Sequence, residues 1–306
     1  MNNPVTTKPP AILATDLDGT LIPLASTTEN PPQASESHRA IPRGVSSADC
    51  PQRQALTTLS RLADADKLEI IFVTGRHHDS VMSVMNAEGL PVPRWIICDV
   101  GTTLLCRAES QRYLPSQAYV NHLDAVVGSF NTGQLAQAMA GFDGLVVQEP
   151  EKQGRHKLSF YCDRNRIDTL VAKVEQRLDE VAAPYRIVSS VDPFNGDGLI
   201  DLLPLGTDKS SALAWWAEQS GYEMSRIVFS GDSGNDYAAL TSGFRAILVG
   251  NADRNLARRI VEHHRRFGTE DRIYIAQSPA TAGVLEGCVW FGLVDPSARR
   301  DASECG

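Results

Sequence analysis

Cysteine is scarce in this 306-residue chain, and the six present (Cys50, Cys98, Cys106, Cys162, Cys288 and Cys305) make no CxxC pair and no paired metal-site spacing. That excludes a zinc module. Cys98, Cys106 and Cys162, in or beside apolar strand patterns, read as small buried hydrophobes. No apolar run approaches the length of a membrane span, and the opening MNNPVTTKPP lacks the basic stretch and apolar core of a secretory signal. A reducing cytoplasm is the expected setting. Basic tracts are missing too: the formal net charge is −8, and the arginines read as scattered. Neither nucleic acid nor an anionic membrane is an expected partner, so a charged substrate must be handled locally.

What the chain does have is 42% apolar and 22% charged residues, enough to bury a sizeable core in two compact units. Short apolar runs alternate with helical patterns: strands are expected at 11–15, 69–74 and 95–98, with helices at Ala55–Ala63 and Ser80–Glu88 between them. A second series returns at 227–230, 245–249 and 272–275, closed by a helix over 280–291. This alternation predicts an α/β class, a doubly wound, mostly parallel sheet.

The polar residues at the ends of these runs carry the chemistry. Ala11-Ile-Leu-Ala-Thr-Asp16-Leu-Asp18-Gly19-Thr20 delivers two carboxylates, two residues apart, into a glycine turn. At that spacing they leave the strand with like orientation, so one can attack or bind a metal while the other shuttles a proton. The run 69–73 ends in Thr74-Gly75-Arg76, a hydroxyl and backbone N–H groups able to receive an anion. Lys209 follows the run 199–206 and opens a helical pattern through Gln219, while Ile227-Val-Phe-Ser-Gly231-Asp232-Ser-Gly234-Asn235-Asp236 ends another strand in two carboxylates. Open parallel sheets bind ligands outside the carboxyl ends of their strands, and all these clusters fall there. Asp16, Asp232 and the backbone carbonyl of Asp18 offer hard oxygen ligands, which suit Mg²⁺ far better than zinc.

DLDGT, VTGR, a helix-opening Lys and GDSGND, in that order, resemble the haloacid dehalogenase-like phosphohydrolases. Segments 156–163, 200–204 and 274–287 are further similar to its sucrose-phosphate phosphatase-like group, which carries a large α+β cap between the second and third motifs. The resemblance implies Asp16 as nucleophile and metal ligand. It implies Asp18 as the acid and base, Asp232 and Asp236 at the metal, and Thr74, Lys209 and the backbone around Leu17 and Gly75 on the phosphate, with Asn235 beside them. A Thr in place of Asp18 would point to a transport ATPase, so hydrolysis or mutase chemistry remains. The resemblance also implies a sugar phosphate as substrate and a functional pairing with a sugar-phosphate synthase.

Between Gly101 and Pro204 the texture changes to helix (117–140), hairpin (144–149 with 156–162), helix (165–182) and hairpin (185–191 with 198–203). We therefore expect residues 1–107 and 205–306 to form the core domain and 108–204 an inserted cap. In the strand 156–162, Leu158, Phe160 and Cys162 point one way and suit the cap's helices, while Lys157, Ser159 and Tyr161 point the other and suit a polar ligand. Residues 25–52, rich in Ser, Pro, Thr and Glu, read as a mobile loop at the active-site rim, with His38, Arg39 and Arg43 within reach of a substrate. The expected activity is hydrolysis of sucrose-6-phosphate. Mannosylfructose-phosphate and glucosylglycerol-phosphate are alternatives that no regular motif separates. A phosphomannomutase-like mutase would use Arg155, Arg164, Arg166 or Arg186 for a second phosphate, and a noncatalytic binding module is the remaining class.

Overall fold

The computed structural model describes residues 11–24, 51–192 and 195–299. The expected loop at 25–52 lies outside the described residues except for Pro51 and Gln52, which open the first helix instead. In chain order the elements are β1 (Ala11–Thr15), α1 (Pro51–Asp64), β2 (Leu68–Val73), α2 (His78–Glu88), β3 (Trp95–Cys98), β4 (Thr103–Arg107), β5 (Tyr113–Pro115), α3 (Gln117–Val127), α4 (Thr132–Ala138), β6 (Val146–Val147), β7 (Leu158–Cys162), α5 (Ile167–Glu180), β8 (Tyr185–Val191) and β9 (Gly198–Pro204). They continue with α6 (Lys209–Gln219), β10 (Ile227–Gly231), α7 (Tyr237–Leu240), β11 (Arg245–Leu248), α8 (Arg254–Phe267), β12 (Ile273–Ile275) and α9 (Ala280–Trp290).

Among the described residues, eight strands form one sheet in the order β12-β11-β10-β1-β2-β3-β4-β5, parallel from β12 to β3. Strand alternation sorts its side chains onto two faces. Leu13, Ile70 and Phe72 pack with α1, α2 and α9, while Ile12, Ala14, Ile71 and Val73 pack with α3, α6, α7 and α8. Burial on both faces explains why these strands read as continuous apolar runs. The chain steps from β1 outward to β3 on one side and from β10 outward to β12 on the other, so β1 and β10 flank the point where the winding reverses, where such sheets bind their ligands.

The second sheet, β6-β7-β9-β8, is antiparallel, as expected of the inserted segment. Leu158, Phe160, Cys162, Ile200 and Leu202 pack against Leu135, Leu170, Val174 and Leu178 of α4 and α5, which leaves Ser159, Asp201 and Ser190, together with Leu199, on the other face. Two details depart from the sequence expectation. The large sheet keeps the chain through Pro115, because β4 and β5 add an antiparallel hairpin to its edge, so the boundary expected at 107 falls inside that hairpin. The single helix expected over 117–140 is two. Gly128 at φ 58° ends α3, and Asn131 caps α4 by accepting from Gln134 N–H while the Gln134 side chain accepts from Asn131 N–H.

The arginines are also less scattered than they read. Arg254, Arg258, Arg259, Arg265 and Arg266 all lie exposed on α8, whose buried stripe is Leu256, Ile260 and His264. No helix among the described residues is long and apolar enough to cross a membrane.

Candidate active site

The carboxyl ends of β1 and β10 are tied together by the Asp16 N–H, which donates to the Ser230 carbonyl at 2.9 Å. This brings Asp16 and Asp232 to one spot, and the turn after β10 folds Asp236 back behind them. One oxygen from each of the three carboxylates lies within 4.8 Å of the others. Lys209, fully buried at the first position of α6, places its ammonium 2.9 Å from Asp16 Oδ1 and 2.8 Å from Asp236 Oδ1, and donates to Asn235 Oδ1 at 2.9 Å. The other Asp236 oxygen accepts from the Asp232 and Ser233 N–H groups, each at 3.2 Å. Asp236 is thus fully engaged as a brace, while Asp16 and Asp232 face outward.

Gly19, at φ 76°, lets the DxDGT turn lie directly against Asp232: a Cβ there would sit 2.2 Å from Asp232 Oδ2. Thr20 donates from its hydroxyl to Asp232 Oδ1 at 3.1 Å, and Asn251 donates to the Gly19 carbonyl at 2.8 Å. The Asp18 carboxylate does not join the cluster. Arg76 grips it with two parallel bonds, Nε to Oδ2 and Nη2 to Oδ1, both 2.7 Å. Arg76 stood in the VTGR string without an assigned role; its place directly after the anion-receiving turn was the available signal. Thr74 is buried, and its hydroxyl accepts from Arg76 N–H at 3.2 Å. The Leu17 side chain is fully buried, so only its backbone can serve a ligand, whereas Gly75 and Asn235 line the cavity described below.

Electrostatics mark the cluster as short of positive charge. Burial, and then the negative charge of Asp236, hold the Asp16 carboxyl well above the usual range against the pull of Lys209. Burial and Asp236 likewise push Asp232 up to about 7. Burial opposes the charge on Lys209, but Asp16 and Asp236 together hold its proton above the ordinary lysine range. Three carboxylates against one ammonium, in an all-oxygen donor set, is an arrangement that a hard divalent cation fits.

A stability prediction follows. A carboxyl whose folded-state pKa is raised stabilises the fold below its unfolded pKa, and that contribution disappears as pH climbs through the folded value. Metal-free protein should therefore lose on the order of 2 kcal/mol between about pH 5 and pH 8 from this cluster, and a bound divalent cation should restore it. Thermal denaturation in chelator and in Mg²⁺, at pH 5.5 and 8.0, checks this. The Mg²⁺ increment in Tm should be larger at the higher pH, and equal increments would contradict it.

Over the cluster lies a cavity of about 780 Å³, within the range of roughly 300–1,000 Å³ usual for small-molecule sites. Its floor includes Asp16, Asp18, Gly75, Arg76, Asp232 and Asn235, and its roof is the face of the second sheet turned away from the helices, including Gln148, Lys157, Ser190, Leu199 and Asp201. The alternation in 156–162 thus holds for Lys157, which is buried and lines the cavity. Ser159 and Tyr161 share that side of the strand but do not reach the cavity. Ser159 is buried behind the surface, donating to Asp201 Oδ1, and Tyr161 donates to Glu149 Oε2 at 2.8 Å and receives Lys152; neither lines the cavity. Asp201 was missed, although a lone carboxylate inside the apolar run Leu199–Leu203 is a signal. Val100, which lines the cavity, and Asp99 just before it adopt φ 58° and 54°, a strain of about 1–3 kcal/mol per residue.

A family model described as sucrose-6F-phosphate phosphohydrolase matches residues 9–292. A putative HAD-like hydrolase of Nitrosococcus oceani is 32% identical over 290 residues, covering 92% of this chain and 71% of that protein. The mannosylfructose-phosphate phosphatase of Agrobacterium fabrum is 27% identical over 287 residues, covering 94% and 98%. A crystal structure of the Synechocystis sucrose-phosphatase in complex with sucrose and phosphate shares the fold, with a TM-score of 0.67 and 23% identity over 92% of this chain and 98% of that one. With four motifs converging on one acidic cluster and a match running nearly end to end, the chain belongs to the sucrose-6F-phosphate phosphohydrolase family, HAD-like phosphoric monoester hydrolases that act on sugar phosphates.

Proposed function

We propose that this protein is a Mg²⁺-dependent phosphatase that frees a neutral sugar from its phosphate monoester through an aspartyl-phosphate, with sucrose-6-phosphate as the first candidate substrate. The observation that carries the reading is the placement of Asp16: its carboxylate, flanked by Lys209 and Asp232, faces a cavity whose far wall carries Gln148, Lys157, Ser190 and Asp201. We take the second sheet and its helices as the cap domain, beginning after Pro115 and ending near Pro204, and the large sheet as the core.

Asp16 attacks phosphorus as the bond to the sugar oxygen breaks, and Asp18, once turned from Arg76 and protonated, gives that oxygen its proton. Water then attacks the aspartyl-phosphate, Asp18 takes the water's proton, and phosphate leaves. Arg76 keeps Asp18 at the cavity wall, so the two carboxylates of the DxD pair are separated by their partners: one faces the cation site, the other an arginine. Lys209, the Thr74 hydroxyl and the backbone at Leu17 and Gly75 receive the charge spread over the phosphoryl oxygens. Asp16, Asp232 and the main-chain oxygen of Asp18 would hold the Mg²⁺, which when bound offsets the negative charge of phosphate and nucleophile.

The relative from Agrobacterium fabrum aligns over nearly its whole length, which favours mannosylfructose-phosphate as the second substrate reading. A mutase is disfavoured, since Arg155, Arg164, Arg166 and Arg186 are all outside the cavity lining, and Arg155, Arg166 and Arg186 are paired with Asp124, Asp143 and Asp208. Phosphate release measured over sucrose-6-phosphate, mannosylfructose-phosphate, glucosylglycerol-phosphate, hexose phosphates and p-nitrophenyl phosphate tests the reading. A disaccharide phosphate should lead by at least about tenfold in kcat/KM, and Lys157→Met should raise KM for it far more than for the aryl ester. Equal losses on both substrates would place Lys157 outside sugar recognition.

A further inference from the structure

Asp99 stands one residue beyond β3, in the turn that follows it, and the turn belongs to the wall of the catalytic floor. The Asp99 N–H donates to the Arg76 carbonyl at 2.9 Å, and the Val100 N–H donates to the Thr74 carbonyl at 3.2 Å. Tyr119 donates from its hydroxyl to the Gly101 carbonyl at 2.6 Å, and the Gly101 backbone lies so close to Asp208 that a Cβ would meet the Asp208 carbonyl oxygen at 2.4 Å. The turn is therefore held from three sides in a conformation that non-glycine residues rarely adopt.

From this turn the Asp99 carboxylate reaches across to the second sheet. Its Oδ1 lies 3.1 Å from Lys157 Nζ, and the two side chains are only 9% and 5% exposed. Among the described residues no hydrogen bond reaches that oxygen, so the ammonium is what compensates it. Lys157 is fixed from its own side as well. Its carbonyl accepts from Gly154 N–H at 3.0 Å, and the neighbouring His156 places Nε2 2.7 Å from Asp124 Oδ1 on α3. A second carboxylate, Asp201, competes for the same charge: burial raises its pKa and Lys157 is the first influence that lowers it. Lys157 and Asp201 both line the cavity, whereas Asp99 is not part of the lining.

We propose that Asp99 is a positioning residue for substrate selection, a core-domain latch that holds Lys157 of the cap in place and so shapes the cavity in which the sugar is read. The proposal rests on the sugar-phosphatase reading of that cavity. Two buried charges separate only if water reaches both, so the pair favours the arrangement in which the second sheet is seated on the first. Asp99 also draws Lys157 away from full neutralisation by Asp201. An ammonium with N–H groups to spare and a carboxylate with lone pairs to spare then share one wall, and each sugar hydroxyl both donates and accepts.

Two substitutions suit the backbone at φ 54°: Asp99→Asn, which keeps the shape and removes the charge, and Asp99→Gly, which also relieves the strain. Each should lower kcat/KM for the preferred disaccharide phosphate at least about tenfold more than for p-nitrophenyl phosphate, with most of the change in KM. A double-mutant cycle with Lys157→Met should show coupling, the double variant being no worse than Lys157→Met alone. Small-angle scattering of the substrate-free protein should show a larger radius of gyration in both Asp99 variants. Additive losses in the cycle, or equal losses on the two substrates, would overturn the proposal. A merely structural Asp99 would leave Asp99→Gly as selective as the parent. Should the parent itself prefer no sugar phosphate, the functional reading fails, and an unchanged radius of gyration in both variants then rejects the latch on its own.

Discussion

Replacing Asp16 by Asn should leave a folded protein whose turnover falls by at least about 10⁴-fold, because a nucleophile and its partners act as a unit. Asn has the shape of Asp, and the backbone at position 16 is secured by its own hydrogen bond to Ser230, so nothing in β1 needs to move. Lys209 keeps Asp236 as a partner at 2.8 Å. The substitution also removes a buried carboxyl group whose pKa burial and Asp236 hold high, so metal-free stability should hold or rise. What disappears is the anionic oxygen that we propose attacks phosphorus. Acid-quenched reactions with labelled substrate should yield labelled protein from the parent enzyme and none from Asp16→Asn. Residual turnover above about 1% at saturating Mg²⁺ would transfer the nucleophile to another group, with Asp232 the nearest candidate.

The floor of this site was legible in the sequence for a physical reason. In a parallel sheet buried on both faces, each strand is an apolar run, and the first polar residue after it must emerge at the carboxyl edge. Asp16, Thr74 and Asp232 each follow such a run directly, so their convergence needed no knowledge of distances. The same logic applied to Cys98-Asp99 would have flagged Asp99, but that strand ends in a turn with left-handed backbone at two non-glycine residues, which no local pattern announces. The roof was harder to read. Period-two alternation says which side a residue faces, and it sorted Leu158 and Phe160 correctly onto the helices. It cannot say whether a polar side chain ends at a ligand or at a neighbour. Ser159 is taken by Asp201 on the adjacent strand and Tyr161 by Glu149 and Lys152, contacts between residues distant or irregularly spaced in the chain. The β4-β5 hairpin was missed because β5, at three residues, carries too little periodicity to register.

The close approach of the DxDGT turn to Asp232 sets up the other large effect, at Gly19. Substituting Ala adds a single methyl group, and two costs coincide. The φ of 76° disfavours any L side chain, by roughly 1 kcal/mol. The new Cβ would also lie 2.2 Å from Asp232 Oδ2 and 2.7 Å from its Cγ, far inside contact distance, so either the turn or the carboxylate must give way. The turn is pinned, since Asn251 donates to the Gly19 carbonyl and Gly19 N–H donates to the Ile22 carbonyl at 2.8 Å. Among the described residues the Asp232 carboxylate accepts one hydrogen bond, from Thr20 at 3.1 Å, so it is the carboxylate that should swing away from Asp16. That opens the three-carboxylate cluster without touching the nucleophile, Lys209 or the cavity roof. Gly19→Ala should therefore weaken Mg²⁺ binding at least about tenfold and lower kcat/KM by about 10²-fold at a fixed, subsaturating Mg²⁺ level, while KM for the sugar phosphate at saturating Mg²⁺ changes little. Calorimetric Mg²⁺ titration with rates measured across Mg²⁺ concentration separates these quantities. Unchanged Mg²⁺ affinity together with a large activity loss would show that the turn itself moved, taking Asp18 with it, and that Asp232 is not the group on which the cation depends.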